Sequence, residues 1–157
     1  MTRLRRLVCV LAFAVLFWSC SRDTGSSGPS SPTPASPARR VLVVTHTEGF
    51  RHSSIPIAEA TISALGQRSG LFSTTFCRTA DDVSRMLTRS ALAGVDAIVF
   101  ANTTGSLPIP DLAAVLEWIQ DGHGFAGMHS APDTYHHAPA YLEMLGTEFL
   151  THGDQAT

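Results

Sequence analysis

The segment VLVVTHTEGFRHSSIP, Val41–Pro56, determines the fold class, because an aliphatic run stops abruptly in a polar loop. Val41–Val44 is the continuous β-branched and aliphatic run expected of a strand that is covered on both faces of a parallel sheet. Ser54 and Pro56 then predict the start of a helix. A strand that leads through a polar loop into a helix is how α/β proteins present a ligand site at the carboxyl ends of their strands.

The rest of the folded part, residues 39–157, repeats this alternation of strand and helix signals. Predicted strands cover residues 41–45, 72–77, 95–101 and 125–129, predicted helices begin near residues 55, 79, 110 and 138, and Gly70, Gly122 and Gly146 end three of the helices. Phe149 and Leu150 are expected to begin a further strand. The order predicts an α/β fold, a three-layer, doubly wound parallel sheet with right-handed crossovers and the flavodoxin-like strand order 2-1-3-4.

The first 38 residues carry signals for export rather than for folding. Three arginines precede the apolar segment Leu7–Trp18, and Cys20 follows in the manner of a bacterial lipobox. Residues 1–19 are therefore predicted to be a lipoprotein-type signal peptide, and residues 20–38 a disordered Ser/Pro-rich tether behind a lipidated Cys20. An ordinary secretory leader is the alternative, because Phe17 and Trp18 are bulky for a lipobox. The expected location is a membrane-anchored lipoprotein that faces the periplasm or the cell exterior.

Composition and charge exclude several classes of function. The chain has a formal net charge of −2 and contains no lysine, and the part after Cys20 is more acidic still because three of the arginines lie in the leader. A basic face for nucleic acid is therefore absent. Without lysine, Schiff-base chemistry and a Walker A phosphate loop are excluded as well.

Two further motifs are interpreted as structural. Cys77 is the one thiol outside the leader and the anchor, and it is expected to be a buried core residue rather than a nucleophile. The sequence GHGFAG, residues 122–127, matches the dinucleotide fingerprint, but a predicted helix precedes it and a predicted strand follows, which is the reverse of what that fingerprint needs.

The predicted sheet order places a ligand crevice between two loops. The switch point lies between the first and third strands, so the loops Thr45–Ser54 and Ala101–Ser106 should form its walls, with His129 beside them at the end of the fourth strand. Asn102, Thr103 and Thr104 could equally form a satisfied turn. His46 and His52 are expected in the same region.

Three segments, THTEGFRHSSIP, VDAIVFANTTG and GFAGMHSAPDT, resemble the trehalose-utilisation (ThuA-like) family. The resemblance covers nearly all of residues 39–152 and implies a class I glutamine-amidotransferase-like α/β fold and an association with saccharide utilisation. Amidotransferases carry a nucleophilic cysteine at the elbow where this chain has His129, so glutaminase activity is not expected. Similar proteins continue beyond Thr157, which leads us to expect a C-terminally truncated product or an incomplete domain.

The residues that could carry chemistry are mostly histidines. His129 and His52 are the acid or base candidates and Asp133 would orient a histidine or bind sugar hydroxyls. His136 and His137 are interpreted as residues of a solvated loop. Imidazole with carboxylate suits a divalent metal, but no helical ligand pair is present, so no metal ligand is assigned and the cofactor is left open. The predicted substrate-binding residues are Thr47, Gly49, Phe50, Arg51, Asn102, Thr103, Thr104 and Gly105.

The sequence thus predicts an exported ThuA-like protein that acts on or binds a carbohydrate, such as a trehalose-type disaccharide. No carboxylate pair of the kind used by ordinary glycosidases can be identified. A non-catalytic saccharide-binding lipoprotein module and an inactive truncated fragment are the alternatives. The expected partners are a carbohydrate ligand and, through the lipid, a membrane; the sequence makes no prediction of the oligomeric state.

Overall fold

The computed structural model describes residues 38–153, which form a four-stranded parallel sheet with helices between the strands. The strand order is β2-β1-β3-β4, with every neighbouring pair parallel, so the predicted doubly wound α/β fold and its order are confirmed. The strands are β1 (Arg39–Val44), β2 (Phe72–Cys77), β3 (Ala97–Ala101) and β4 (Gly124–Met128), and the α-helices are α1 (Ile55–Ser69), α2 (Ala80–Met86), α3 (Leu112–Gln120) and α4 (Pro139–Leu145).

The main hydrophobic core lies on one face of the sheet. Leu42 and Val44 of β1 and Ile98 and Phe100 of β3 alternate toward this face and pack with the apolar sides of α2, α3 and α4. The crossover from β1 to β2 runs in the opposite direction from the crossover from β2 to β3. Since both crossovers are right-handed, they put α1 on one face and α2 on the other, which gives the three layers.

The local signals that begin and end the helices act largely as expected. Thr79 accepts a hydrogen bond from the backbone N–H of Asp82, whose carboxylate accepts one from the backbone N–H of Thr79, a complete capping box at the start of α2. Gly70 ends α1 with φ of 66°, in the left-handed region. Ser54 begins α1 without a side-chain cap, since its backbone is already in the right-handed helical region, and its hydroxyl accepts a hydrogen bond from Asn102.

The structure corrects three details of the sequence prediction. The third strand begins at Ala97 rather than at residue 95, because Asp96 is held outside the strand by hydrogen bonds from the backbone N–H of Arg40 and the side chain of Arg39. The third helix begins at Leu112 rather than near residue 110, because Asp111 acts as its N-cap and accepts a hydrogen bond from the backbone N–H of Ala114. Residues 149 and 150 form no strand.

The described residues contain two more features that bear on function. His129 lies just beyond β4 rather than inside it, since the strand ends at Met128. No helix within residues 38–153 is both long and apolar enough to cross a membrane. The predicted leader, Cys20 and the tether up to residue 37 lie outside the described residues.

Candidate functional site

The loop that follows β1 crosses over the carboxyl end of β3. The backbone N–H of Glu48 donates to the carbonyl of Thr104 at 3.0 Å, which fixes the crossing. The two backbone segments come so close that a Cβ on Gly105 would lie 2.8 Å from the backbone nitrogen of Gly49. Gly105 also has φ of 75°. Glycine is therefore required where the loops cross, and the crossing carries the β1 loop toward the end of β4.

The crossing brings together His52 and His129, the two histidines predicted to share a crevice. Nδ1 of His52 lies 3.4 Å from Nε2 of His129, although the residues are 77 positions apart. Their ring centroids are 4.5 Å apart, with the planes at 74°. One nitrogen donates and the other accepts in this contact, so at least one of the two facing nitrogens is unprotonated.

His129 occupies a strained backbone position at the elbow after β4. Its φ of 55° lies in the left-handed region, which costs an ordinary L-residue about 1–2 kcal/mol. Such strain persists where the surroundings impose it, and it is concentrated at functional sites. The elbow turns the imidazole of His129, which is exposed, toward His52.

The surroundings of His52 favour its neutral form. Burial lowers the pKa of His52, nearby His129 lowers it further, and the carboxylate of Asp133 raises it by less than these two effects combined. At neutral pH His52 is therefore an unprotonated imidazole that can accept a proton.

An exposed aromatic side chain borders the histidine pair. Phe50 is 69% exposed, and its ring meets that of His52 edge to face with a centroid separation of 4.8 Å. The hydroxyl of Thr104 donates to the carbonyl of Phe50 at 2.9 Å, which fixes the backbone that carries the ring. The site thus combines polar imidazoles with an apolar surface that faces the solvent.

The three polar residues that follow β3, Asn102–Thr104, are buried beneath the β1 loop. Thr103 and Thr104 are fully buried, and the Thr103 hydroxyl lies 2.8 Å from the hydroxyl of Thr134. Asn102, 2% exposed and with φ of 61°, donates from Nδ2 to Ser54 at 2.7 Å, while its Oδ1 has no protein partner. These three side chains are buried in the turn after β3, and the predicted contact of any of them with a ligand stays a prediction.

The remaining predicted substrate-binding residues lie on the β1 loop. Thr47 is half-buried there, and Gly49 is exposed at the crossing. Arg51 is exposed, and its guanidinium donates to the carbonyl of Thr45 at 3.3 Å. In the same loop Nε2 of His46 lies 2.7 Å from a carboxylate oxygen of Glu48.

Sequence reasoning missed an ion pair below the β1 loop. Arg78 contacts Glu59 through Nε and Nη2 at 2.8–3.0 Å, and the hydroxyl of Thr45 donates to Glu59 at 2.7 Å. Burial raises the pKa of Glu59, but the hydrogen bonds from Arg78 and Thr45, together with the charges of Arg78 and Arg51, outweigh it and leave the pKa below its ordinary value. The only sequence signal was the position of Thr45 and Arg78 at adjacent strand ends.

The environment of His136 also differs from the sequence prediction. Its side chain is 33% exposed, with Nε2 at 2.8 Å from Asp133 and Nδ1 at 2.9 Å from Glu148. The prediction that both histidines are solvated fits only the neighbouring His137, which is exposed. The spacing of three residues between Asp133 and His136 was the one available signal.

Other candidate chemistries receive no support from the described residues. Between residues 38 and 153, no group of three or more His, Cys, Asp or Glu side chains is arranged to hold a metal ion. Cys77 is fully buried, and burial raises the pKa of its thiol to about 12. A cavity of about 450 Å³ lies at the opposite, amino-terminal end of β1, beside Arg40, Leu42 and Met86, and none of the predicted site residues lines it.

Comparison with known proteins agrees with this architecture. Residues 40–157 match the family model described as ThuA, trehalose utilisation. The chain belongs to the ThuA family. Membership assigns this ThuA protein the glutamine-amidotransferase-like α/β fold of the family and a role in trehalose utilisation in general. No curated protein and no solved structure matches the chain.

Proposed function

We propose that this ThuA protein binds a trehalose-type disaccharide in the crevice between His52, His129 and Phe50, and acts on it by proton transfer. The contact between His52 and His129 across 77 positions carries the proposal, because the fold builds a strained elbow that joins two titratable groups at the carboxyl edge of the sheet. Family membership supports a saccharide as the ligand class.

The two histidines suit an acid–base role. His52 is neutral at neutral pH and can accept a proton from a sugar hydroxyl or from water, while exposed His129 is accessible to the ligand. The carboxylate of Asp133 favours the charged form of His52, so it would stabilise the imidazolium that forms on proton transfer.

The ligand would be held by an apolar surface and by polar groups. Phe50 offers a ring face to the apolar side of a pyranose, and a mostly exposed phenylalanine beside polar side chains is otherwise unfavourable in water. Arg51, on the same loop and exposed, is placed to donate to sugar hydroxyls.

Isothermal titration of the purified protein with trehalose tests the binding proposal. We expect His129→Ala and Phe50→Ala each to weaken binding at least tenfold with little change in melting temperature, whereas His137→Ala, an exposed neighbouring histidine outside the crevice, should leave the affinity unchanged. If all three variants bound trehalose as tightly as the native protein, the assignment of the crevice would be contradicted.

Product analysis after prolonged incubation distinguishes an enzyme from a binding module. If the protein is an enzyme, turnover should disappear in His52→Ala before saccharide binding does, because His52 is proposed to move a proton. Binding without any turnover by the native protein would favour a non-catalytic saccharide-binding module.

Export and membrane attachment complete the proposed function. The basic and apolar leader, Cys20 and the Ser/Pro-rich segment to residue 38 support a lipoprotein whose folded part is held away from the membrane outside the cytoplasm. In that location the crevice would meet saccharides that arrive from the environment.

A further inference from the structure

The clearest arrangement outside the histidine pair is the chain of contacts Asp133–His136–Glu148. Both ring nitrogens of His136 face carboxylate oxygens, at 2.8 Å and 2.9 Å. An ionised carboxylate can only accept hydrogen bonds, so both nitrogens must donate, and a neutral imidazole has only one N–H. His136 is therefore an imidazolium that joins two carboxylates.

The backbone around Asp133 is fixed independently of this bridge. The N–H of Asp133 donates to the carbonyl of Ser130, and its carbonyl accepts from the N–H of Gly105, both at 2.9 Å. These bonds set the position of the Cα atom but leave the carboxylate free to rotate about the side-chain bonds. In the described residues His136 is the side chain that contacts the Asp133 carboxylate.

We propose that His136 is a positioning residue, which bridges Asp133 and Glu148 and thereby holds the Asp133 carboxylate in one orientation beside the elbow that carries His129. This inference rests on the proposed function for its catalytic meaning, but the geometry stands without a ligand. Glu148 follows α4, so the bridge also ties the segment after that helix to the elbow that carries His129.

The direction in which the pKa of His52 shifts on substitution of His136 distinguishes a positioning role of His136 from a purely electrostatic one. If His136→Gln only removed a positive charge near the site, the pKa of His52 would rise, because one fewer cation would oppose its protonation. If His136 positions Asp133, the freed carboxylate turns to water and the pKa of His52 falls toward its value in Asp133→Asn, since Asp133 is the group that raises it.

NMR titration of the histidine imidazoles in the full chain, without ligand, is the test. We expect the His52 signal in His136→Gln to shift its midpoint downward, in the same direction as in Asp133→Asn, and the control His137→Gln to leave the midpoint unchanged. An upward shift, or none, in folded His136→Gln would overturn the proposal.

A second variant keeps the test decisive if His136→Gln does not fold. Glu148→Gln removes one carboxylate and leaves the imidazole in place, so the midpoint of His136 should fall while His52 changes less. An unchanged midpoint of His136 in Glu148→Gln would mean that the bridge does not exist. Neither result depends on trehalose, so absence of saccharide binding would contradict the proposed function alone.

Discussion

The side chain of Asn102 ties the end of β3 to the start of α1 through a 2.7 Å hydrogen bond to the hydroxyl of Ser54, across 48 positions. Asn102 also adopts φ of 61°, a conformation that asparagine tolerates better than other non-glycine residues. The residue thus combines a long-range hydrogen bond with a turn, and the two contributions can be separated by substitution.

We expect Asn102→Ala to destabilise the fold by about 2 kcal/mol, because it loses the hydrogen bond and forces alanine into the left-handed region. Asn102→Gly loses the bond but tolerates the backbone, so it should cost about 1 kcal/mol less than the alanine variant. Urea unfolding of both proteins measures the difference. If glycine is the more destabilising of the two, the backbone contribution has been assigned wrongly.

The lowered pKa of His52 predicts a loss of stability in acid. A histidine whose folded-state pKa lies below its ordinary value of 6.5 binds fewer protons in the folded than in the unfolded protein, so its contribution is present above pH 6.5 and is lost as the pH falls through the folded-state value. The part of the melting temperature that depends on His52 should therefore fall as the pH drops below 6.5. His52→Gln should show a smaller decrease over the same range, and an identical decrease would contradict the shift.

His136 should show the opposite dependence. Its hydrogen bond to Asp133, with that to Glu148, raises the pKa of His136, so its contribution to stability is fully present below pH 6.5 and is lost as the pH rises through the folded-state value. Relative to the native protein, His136→Gln should lose more stability at pH 5.5 than at pH 9. His137→Gln, measured in parallel, is expected to lose little at either pH.

The thiol of Cys77 should be inert in the folded protein. Because burial raises its pKa to about 12, the thiolate is scarce at pH 8 and the sulfur is inaccessible. Iodoacetamide should modify Cys77 in urea but not under native conditions, as read by mass spectrometry of the peptide. Cys77→Ser should cost about 1–3 kcal/mol by burying a hydroxyl, more than Cys77→Ala. Native-state labelling, or glutaminase turnover that depends on Cys77, would reject the structural role.

Membrane attachment through Cys20 can be tested by fractionation of cells. Cys20→Ala should move the protein from the membrane fraction to the soluble one, because the lipid on Cys20 is the proposed anchor. Cys9→Ala, a change inside the leader, is the matched control and should leave the distribution as it is in the native protein. Membrane partition that survives Cys20→Ala would show that lipidation at this residue is not responsible.

The sheet could be predicted from the sequence because its signals are local. Each strand is a short aliphatic run, and right-handed crossovers leave few orders for four parallel strands. The meeting of His52 and His129 followed from the same rule, since parallel strands deliver their ends to one edge. The start of β3 was misjudged because Asp96 is withdrawn from the strand by Arg39 and Arg40, and such contacts are not local.

The supporting contacts of the site could not be read from the sequence. Arg78 and Glu59 are 19 positions apart, and Glu148 meets His136 only because α4 turns the chain back on itself. An exposed histidine in a polar segment has the same local signature whether it is solvated, as His137 is, or bridges two carboxylates, as His136 does. Only the folded arrangement of the chain distinguishes them.

The crossing of the β1 loop over the end of β3 makes the histidine pair a reporter of completed folding. Since β3 lies between β1 and β4 in the sheet, His52 is expected to reach His129 only after β3 has paired with both β1 and β4. The contact between Gly49 and Gly105 must also have formed. A nascent chain that has released β1 and β3 but not β4 from the ribosome would already contain most of the core and still lack the pair. Acquisition of the crevice should accordingly be among the last events in the maturation of the polypeptide, so a kinetic probe placed there would follow the docking of β4.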